Sequence, residues 1–137
     1  MEDVNGITRR VIGAAIQVHK TLGRGLLESV YQQCMRIELQ RRTLTVEAGR
    51  RVSIEYAGHR LPNALIIDLL VEGCVIVELK AVLELHPIHS AQVMTYLRLS
   101  GCPAALLINF NAPTVKQGLV RFDHPDLFHR YGSRESP

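Results

Sequence analysis

Asp68, inside the run ALIIDLLV, and Glu78 and Lys80, inside VIVELKAV, are the residues of this chain whose types and spacing best suit chemistry. A charge buried in runs this apolar costs roughly several kcal/mol unless it is paired, bound to a metal or placed at a strand end. Glu78 and Lys80 are two apart, so both leave one face of a strand while Leu79 leaves the other. Asp68 and Glu78 are symmetric about Gly73. An odd loop, Glu72-Gly73-Cys74, therefore sets them opposite each other with Cβ atoms about 4.5–5.5 Å apart. A two-residue loop without a bulge would put them on opposite faces. The odd loop, or a compensating bulge, is the prediction. Two carboxylates so close repel unless a cation lies between them. Such hard oxygen ligands suit Mg²⁺ or Mn²⁺, which keep waters and take phosphate oxygens as further ligands. A neighbouring lysine would orient or deprotonate the attacking water and offset charge developing on the phosphate. The chemistry implied is hydrolysis of a phosphodiester by a metal-activated water.

The elements that must position these residues follow from periodicity. Ile7, Val11, Ala14, Val18 and Leu22 recur at steps of three and four, which predicts a helix over 4–21, stopped by Gly23 and Gly25. A second helix is expected over 26–42, with Leu27, Val30, Cys34, Ile37 or Glu38, and Leu39 marking its inner side. LTVEAGRRVSIEYAG alternates and is rich in β-branched residues, so it reads as one or two strand segments ending in a turn near Ala57-Gly58. The two apolar runs around Glu72-Gly73 read as a hairpin of central strands. HPIHSAQVMTYLRLSG returns to helical spacing, with Pro87 near the first turn, Gly101 at the end, and Ile88, Ala91, Met94 (or Thr95) and Leu99 expected inward. PAALLINF is a further buried strand and GLVRF one at the edge. Helix, helix, three or more strands, helix, strand is an α/β architecture with helices covering a mixed sheet.

Length and composition set the outer limits. The 137 residues suffice for one domain with a real core and are too few for two comfortable ones. Apolar residues at 47% and charged residues at 21% are ordinary globular values, which argues against wholesale disorder. A net charge of +3 permits a nucleic-acid partner without arguing for one. Cys34, Cys74 and Cys102 show neither metal-ligand pairing nor a disulfide framework, so a reducing cytoplasm fits best. The start, MEDVNGITRR, has no apolar run long enough for a signal peptide, and no stretch reaches the length of a membrane span.

With the elements in place, D-x₉-E-L-K over Asp68, Glu78 and Lys80 resembles the signature of the PD-(D/E)XK nuclease superfamily. GLLESVY, followed by DLLVEGCVIVELKA and AQVMTYL, resembles the branch named for its G-x-x-E-x-x-Y motif. The resemblance runs from about Ile7 to Arg121, with three motifs in matching order and spacing. It implies a restriction-endonuclease-like core over residues 1–125, with 126–137 a tail expected to fray. It also implies a catalytic site of Glu28, Asp68, Glu78, Lys80, Gln92 and Tyr96. In it Asp68 and Glu78 hold Mg²⁺ or Mn²⁺, Glu28 completes the acidic cluster, and Lys80 is the catalytic lysine. Gln92 and Tyr96 resemble the Q-x-x-x-Y of RecB-type nucleases, which positions the metal site or the nucleic-acid backbone. Tyr31, three after Glu28, falls on the same helical side and is expected to hydrogen-bond within the cluster. The chain departs from the pattern at Ile67, where the superfamily has proline, and at Ile66, where the branch often has a basic residue. Near Gly49 an expected glutamine is replaced. These departures touch substrate contacts, not the proposed ligands.

The same residue types also admit blander roles. Asp68, Glu78 and Lys80 can form a structural salt bridge at strand ends. His86 and His89 lie three apart but lack a second ligand pair, so they read as turn or helix-start residues instead of a zinc site. The arginine pairs at 9–10, 41–42 and 50–51 read as solvated surface, and as backbone contacts only where they fall beside the acids. The leading expectation is a metal-dependent nuclease acting on DNA, with RNA the other substrate. The alternative is a non-catalytic nucleic-acid-binding or interaction module that keeps the nuclease fold. A homodimer is an open reading, because one small site cuts one strand and duplex breakage needs two.

Overall fold

The computed structural model describes residues 2–126. The expected tail therefore lies, from residue 127 onward, outside the described residues. Helix α1 spans Val4–Leu22 and α2 spans Glu28–Arg41. They are followed by strands β1 (Val46–Tyr56), β2 (His59–Val71) and β3 (Val75–Lys80), helix α3 (Pro87–Ser100), β4 (Ala104–Asn109), a 3₁₀ turn at Lys116–Gly118 and β5 (Leu119–Asp123). The five strands form one sheet in sequence order. Every neighbouring pair is antiparallel except β3 and β4, which run parallel because α3 carries the chain back between them. This is the α/β mixed sheet flanked by helices that the sequence pattern implied.

Each face of the sheet has its own core. Val4, Ile7, Val11, Ala14 and Val18 of α1 and Tyr31, Met35 and Leu39 of α2 pack with Leu69, Val77, Leu79, Leu106 and Ile108. On the opposite face, Val93 and Leu97 of α3 meet Ile67, Leu70, Ile76, Ala105 and Leu107. Asp3 caps α1 by accepting a hydrogen bond from the Gly6 N–H at 2.7 Å. Gly23, at φ +71, closes the helix with its N–H on the His19 carbonyl. Among the described residues no helix is long and apolar enough to cross a membrane.

Two inner faces differ from the sequence-based expectation. In α2 the buried line is Tyr31, Met35 and Leu39, whereas Leu27 is 74% and Ile37 57% exposed. Only Leu39 of the expected set is fully inside. The helix starts at Glu28, and apolar residues occupy both of its sides, so spacing alone offered two stripes. In α3 Val93 and Leu97 are buried, while Ile88, Met94 and Leu99 stay exposed. Apolar residues surround this short helix, and a small floor selects one face. β1 is a single strand with a register shift between Val52 and Ile54. It turns into β2 through Ala57 and Gly58, both at positive φ, between the paired Tyr56 and His59.

Candidate active site

β2 pairs with β3 only from Leu69–Val77 to Val71–Val75. Beyond that β3 stays beside β4 through Lys80–Asn109, and β2 stays beside β1 as far as His59. The two strands therefore part at Asp68 and Glu78. The three-residue loop Glu72-Gly73-Cys74 sets the register that places these two opposite each other, as the symmetry about Gly73 predicts. Side chains bridge the opening: the Asp68 N–H donates to Glu78 Oε1 at 3.1 Å, and the Leu79 N–H donates to Asp68 Oδ2 at 2.9 Å. Each carboxylate thus takes up a peptide donor from the opposite strand. On the other side of β2 the ladder steps from Ala48–Leu69 to Arg50–Ile67, and the skipped Gly49 has φ +65, a conformation costly for residues with a Cβ. β2 changes facing here, since Leu69 joins one core and Ile67, two residues away, joins the other.

The electrostatics follow from this crowding. Glu78 is 4% exposed. Burial first, and then the charge of Asp68, push its carboxyl up to about 8, with Lys80 opposing the rise. Its side chain also hydrogen-bonds with that of Asp68, so without a cation the pair retains a proton. Glu28 opens α2 at the surface, yet partial desolvation raises its pKa. Lys80 lowers it and Asp68 raises it further. The four groups read from sequence as a cluster therefore converge electrostatically. Gln32, one turn beyond Glu28, donates from Nε2 to the Asp68 carbonyl at 3.1 Å and fastens α2 to the forked strand.

Tyr31 is a correction. Its ring is fully buried and stacks on Phe110 with centroids 4.6 Å apart. Its hydroxyl donates to the Gly23 carbonyl at 2.6 Å and accepts from the Leu26 N–H at 3.2 Å. It does not hydrogen-bond within the acidic cluster. Gly25 sits between these partners at φ +94. Gly25 and Tyr31 together shape the turn that launches α2, and that turn aims Glu28. Tyr31→Phe is expected to cost about 1–3 kcal/mol, because two backbone groups lose their partner. A denaturant midpoint reads this directly.

Gln92 and Tyr96 sit one turn apart on α3, joined by a long contact of 3.5 Å between Nε2 and the hydroxyl. Tyr96 packs against the α3-side core. His86 and His89 form a reciprocal cap at the start of α3, with the His86 N–H donating to His89 Nδ1 at 3.0 Å, in line with the helix-start reading. Arg10 pairs with Glu2 and donates to the Arg42 carbonyl, while Arg41 and Arg42 both pair with Glu38. Residue spacing alone does not single out Gln32 and Asn109. Asn109 is 4% exposed, accepts from the Val82 N–H and donates to the Val82 carbonyl, which holds the segment leaving Lys80. A polar residue inside ALLINF was the available signal, by the same reasoning that singled out Asp68.

Among the described residues no three His, Cys, Asp or Glu side chains are grouped closely enough to hold one metal ion. Glu28, expected to complete a three-acid set, is within electrostatic reach but outside ligand grouping. Asp68 and Glu78 alone still fit a hard divalent ion of the Mg²⁺ type, which is commonly held by one or two carboxylates together with waters and substrate phosphates.

A family model described as the PD-(D/E)XK nuclease superfamily matches residues 5–122. The chain belongs to that superfamily, whose members generally use divalent metals and interact with nucleic acid. No curated protein and no solved structure gives a significant match.

Proposed function

We propose that this chain is a metal-dependent nuclease that hydrolyses phosphodiester bonds of DNA, within the G-x-x-E-x-x-Y branch of its superfamily. The observation that carries the reading is the fork at which Asp68 and Glu78 face each other, with Lys80 leaving the same strand face two residues beyond Glu78. Asp68 and Glu78 are the residues that would hold Mg²⁺ or Mn²⁺. When bound, such an ion polarises the phosphate and lowers the pKa of a water. Lys80, whose charge reaches Glu78 and Glu28, orients the attacking water and offsets charge on the pentavalent phosphate. Glu28 adds negative charge at the rim, favouring a cation. Gln92 and Tyr96 act in this reading as one positioning unit for the nucleic-acid backbone. Residues 1–125 constitute the nuclease domain.

Supercoiled plasmid incubated with the purified protein and Mg²⁺ or Mn²⁺ is expected to be nicked, and chelator is expected to stop it. Nicked circles accumulating before linear DNA would mark single chains cutting one strand at a time. Linear product appearing directly would mark a pair acting together. DNA binding that persists in chelator, with no cleavage under any divalent ion, would favour the non-catalytic module instead.

A further inference from the structure

Past the fork, β1 and β2 leave the body of the sheet as a two-stranded ribbon, from Arg50–Ile67 to Tyr56–His59, paired only with each other. From Asp68 to His59 at about 3.3 Å per residue the arm reaches about 30 Å. It is mostly exposed, and its charged residues are Arg50, Arg51 and Arg60 against Glu55. All three arginines line a cleft of about 410 Å³, which neither Glu47 nor Glu55 lines. Ile67 and Leu70 also line it, and these two bracket Asp68 on β2. Asp68, Glu78 and Lys80 do not line the cleft, which meets the fork through Ile67, the residue before Asp68. Arg50's charge reaches the buried Cys102 thiol, another lining residue; burial raises that thiol's pKa, and Ser100 and Arg50 oppose the rise.

The arginines are available. Among the described residues the side chains of Arg51 and Arg60 make no ion pair or hydrogen bond, while their main chains stay in the β1–β2 ladder. Arg50 pairs with Glu47 at 2.7 Å, but both side chains are about half exposed, so the pair is weak and a phosphate can displace it. Elsewhere Arg10, Arg41 and Arg42 are held by carboxylates of their own helix or terminus. We infer that the β1–β2 ribbon is the docking surface for the phosphodiester backbone of duplex DNA, with Arg50, Arg51 and Arg60 contacting phosphates along the strand pair that leads to Asp68. The complementarity is direct: the ribbon presents three arginines and one glutamate, a net positive surface for a chain of phosphates. A two-stranded ribbon is also narrow enough to enter a major groove.

This inference rests on the nucleic-acid reading of the site, and its test runs in chelator so that binding is separated from cleavage. Fluorescence anisotropy is measured across a salt series with DNA and RNA duplexes of about 20 base pairs. Each phosphate contact contributes about 0.9 to the slope of log K against log salt. The triple variant Arg50→Gln, Arg51→Gln, Arg60→Gln is expected to bind ~10²- to 10³-fold more weakly near 0.1 M salt, with the slope shallower by roughly 2 to 3. The control Arg9→Gln, Lys20→Gln, Arg36→Gln removes the same charge from α1 and α2 and is expected to keep the slope. Loss with the DNA duplex is the expected result, and loss confined to the RNA duplex overturns DNA as the occupant. Wild-type affinity and slope in the ribbon variant, or equal loss in the control, overturns the docking surface and leaves the nuclease reading standing. No salt-dependent binding by the unmodified protein overturns both.

Discussion

Lys80→Ala is expected to lower metal-dependent cleavage by at least ~10²- to 10⁴-fold, the range over which a positioned proton-transfer or charge-stabilising group acts. Lys80 ends β3, is only partly buried, and keeps its strand through main-chain bonds, including the Phe110 N–H on its carbonyl at 2.8 Å. Removing its side chain therefore leaves the sheet intact, and circular dichroism should not change. Glu78→Ala should be equally inactive for a different reason. It removes one of the two carboxylates proposed to hold the ion and also strips the Asp68 N–H of its acceptor. Single-turnover cleavage of a labelled duplex with both variants separates chemistry from folding. A Lys80→Ala protein that cuts at the unmodified rate would refute the assigned mechanism.

The stability of the metal-free protein is expected to fall as pH rises from about 5 to above about 8. Glu78 is held near 8 in the folded chain, against 4.5 for the ordinary group. Between those values the folded state keeps a proton that the unfolded state has released. Its stabilising contribution is fully present below about 4.5 and is lost as pH climbs through the folded value, an effect on the order of a few kcal/mol. A divalent ion acts in the opposite sense, because carboxylates must shed their proton to bind it. At an ion concentration ~100 times Kd the gain is about 2.7 kcal/mol, and it should be largest at alkaline pH. Thermal melts across pH, with and without Mn²⁺, read both trends. Glu78→Gln should flatten the pH profile and remove the ion's effect. A metal-free melting temperature that does not move with pH in the unmodified protein would contradict the shared-proton pair.

Asp68 and Glu78 enter both experiments from different sides. Cleavage asks whether Lys80 and the acids work together on a phosphate. The melts ask only whether Asp68 and Glu78 crowd each other. Activity can therefore fail, in a chain that binds nucleic acid without cutting it, while the pH profile still holds. The converse, cleavage without a pH-linked melt, would mean that the proton pairing is weak and that the metal site forms mainly around substrate.

Much of the site was readable because it breaks local rules. Three charges in two apolar runs, two of them symmetric about one glycine, implied both the odd loop and the facing carboxylates, and strand geometry leaves few other solutions. The order of elements and the helix stops at Gly23 and Gly101 were equally local, since periodicity and glycine conformation act within a few residues. What only the tertiary structure decided was which of two apolar faces each of α2 and α3 buries. Tyr31 went inside because Phe110, Gly23 and Leu26, distant or across a turn, supplied a stacking partner and two hydrogen bonds. Gln32 and Asn109 acquired their roles in the same way, from main-chain partners on other elements. The parting of β2 from β3, and the basic ribbon it frees, depend on pairing among strands far apart in the chain. No local pattern encodes that, because the register of long-range pairing is set by the whole sheet closing at once.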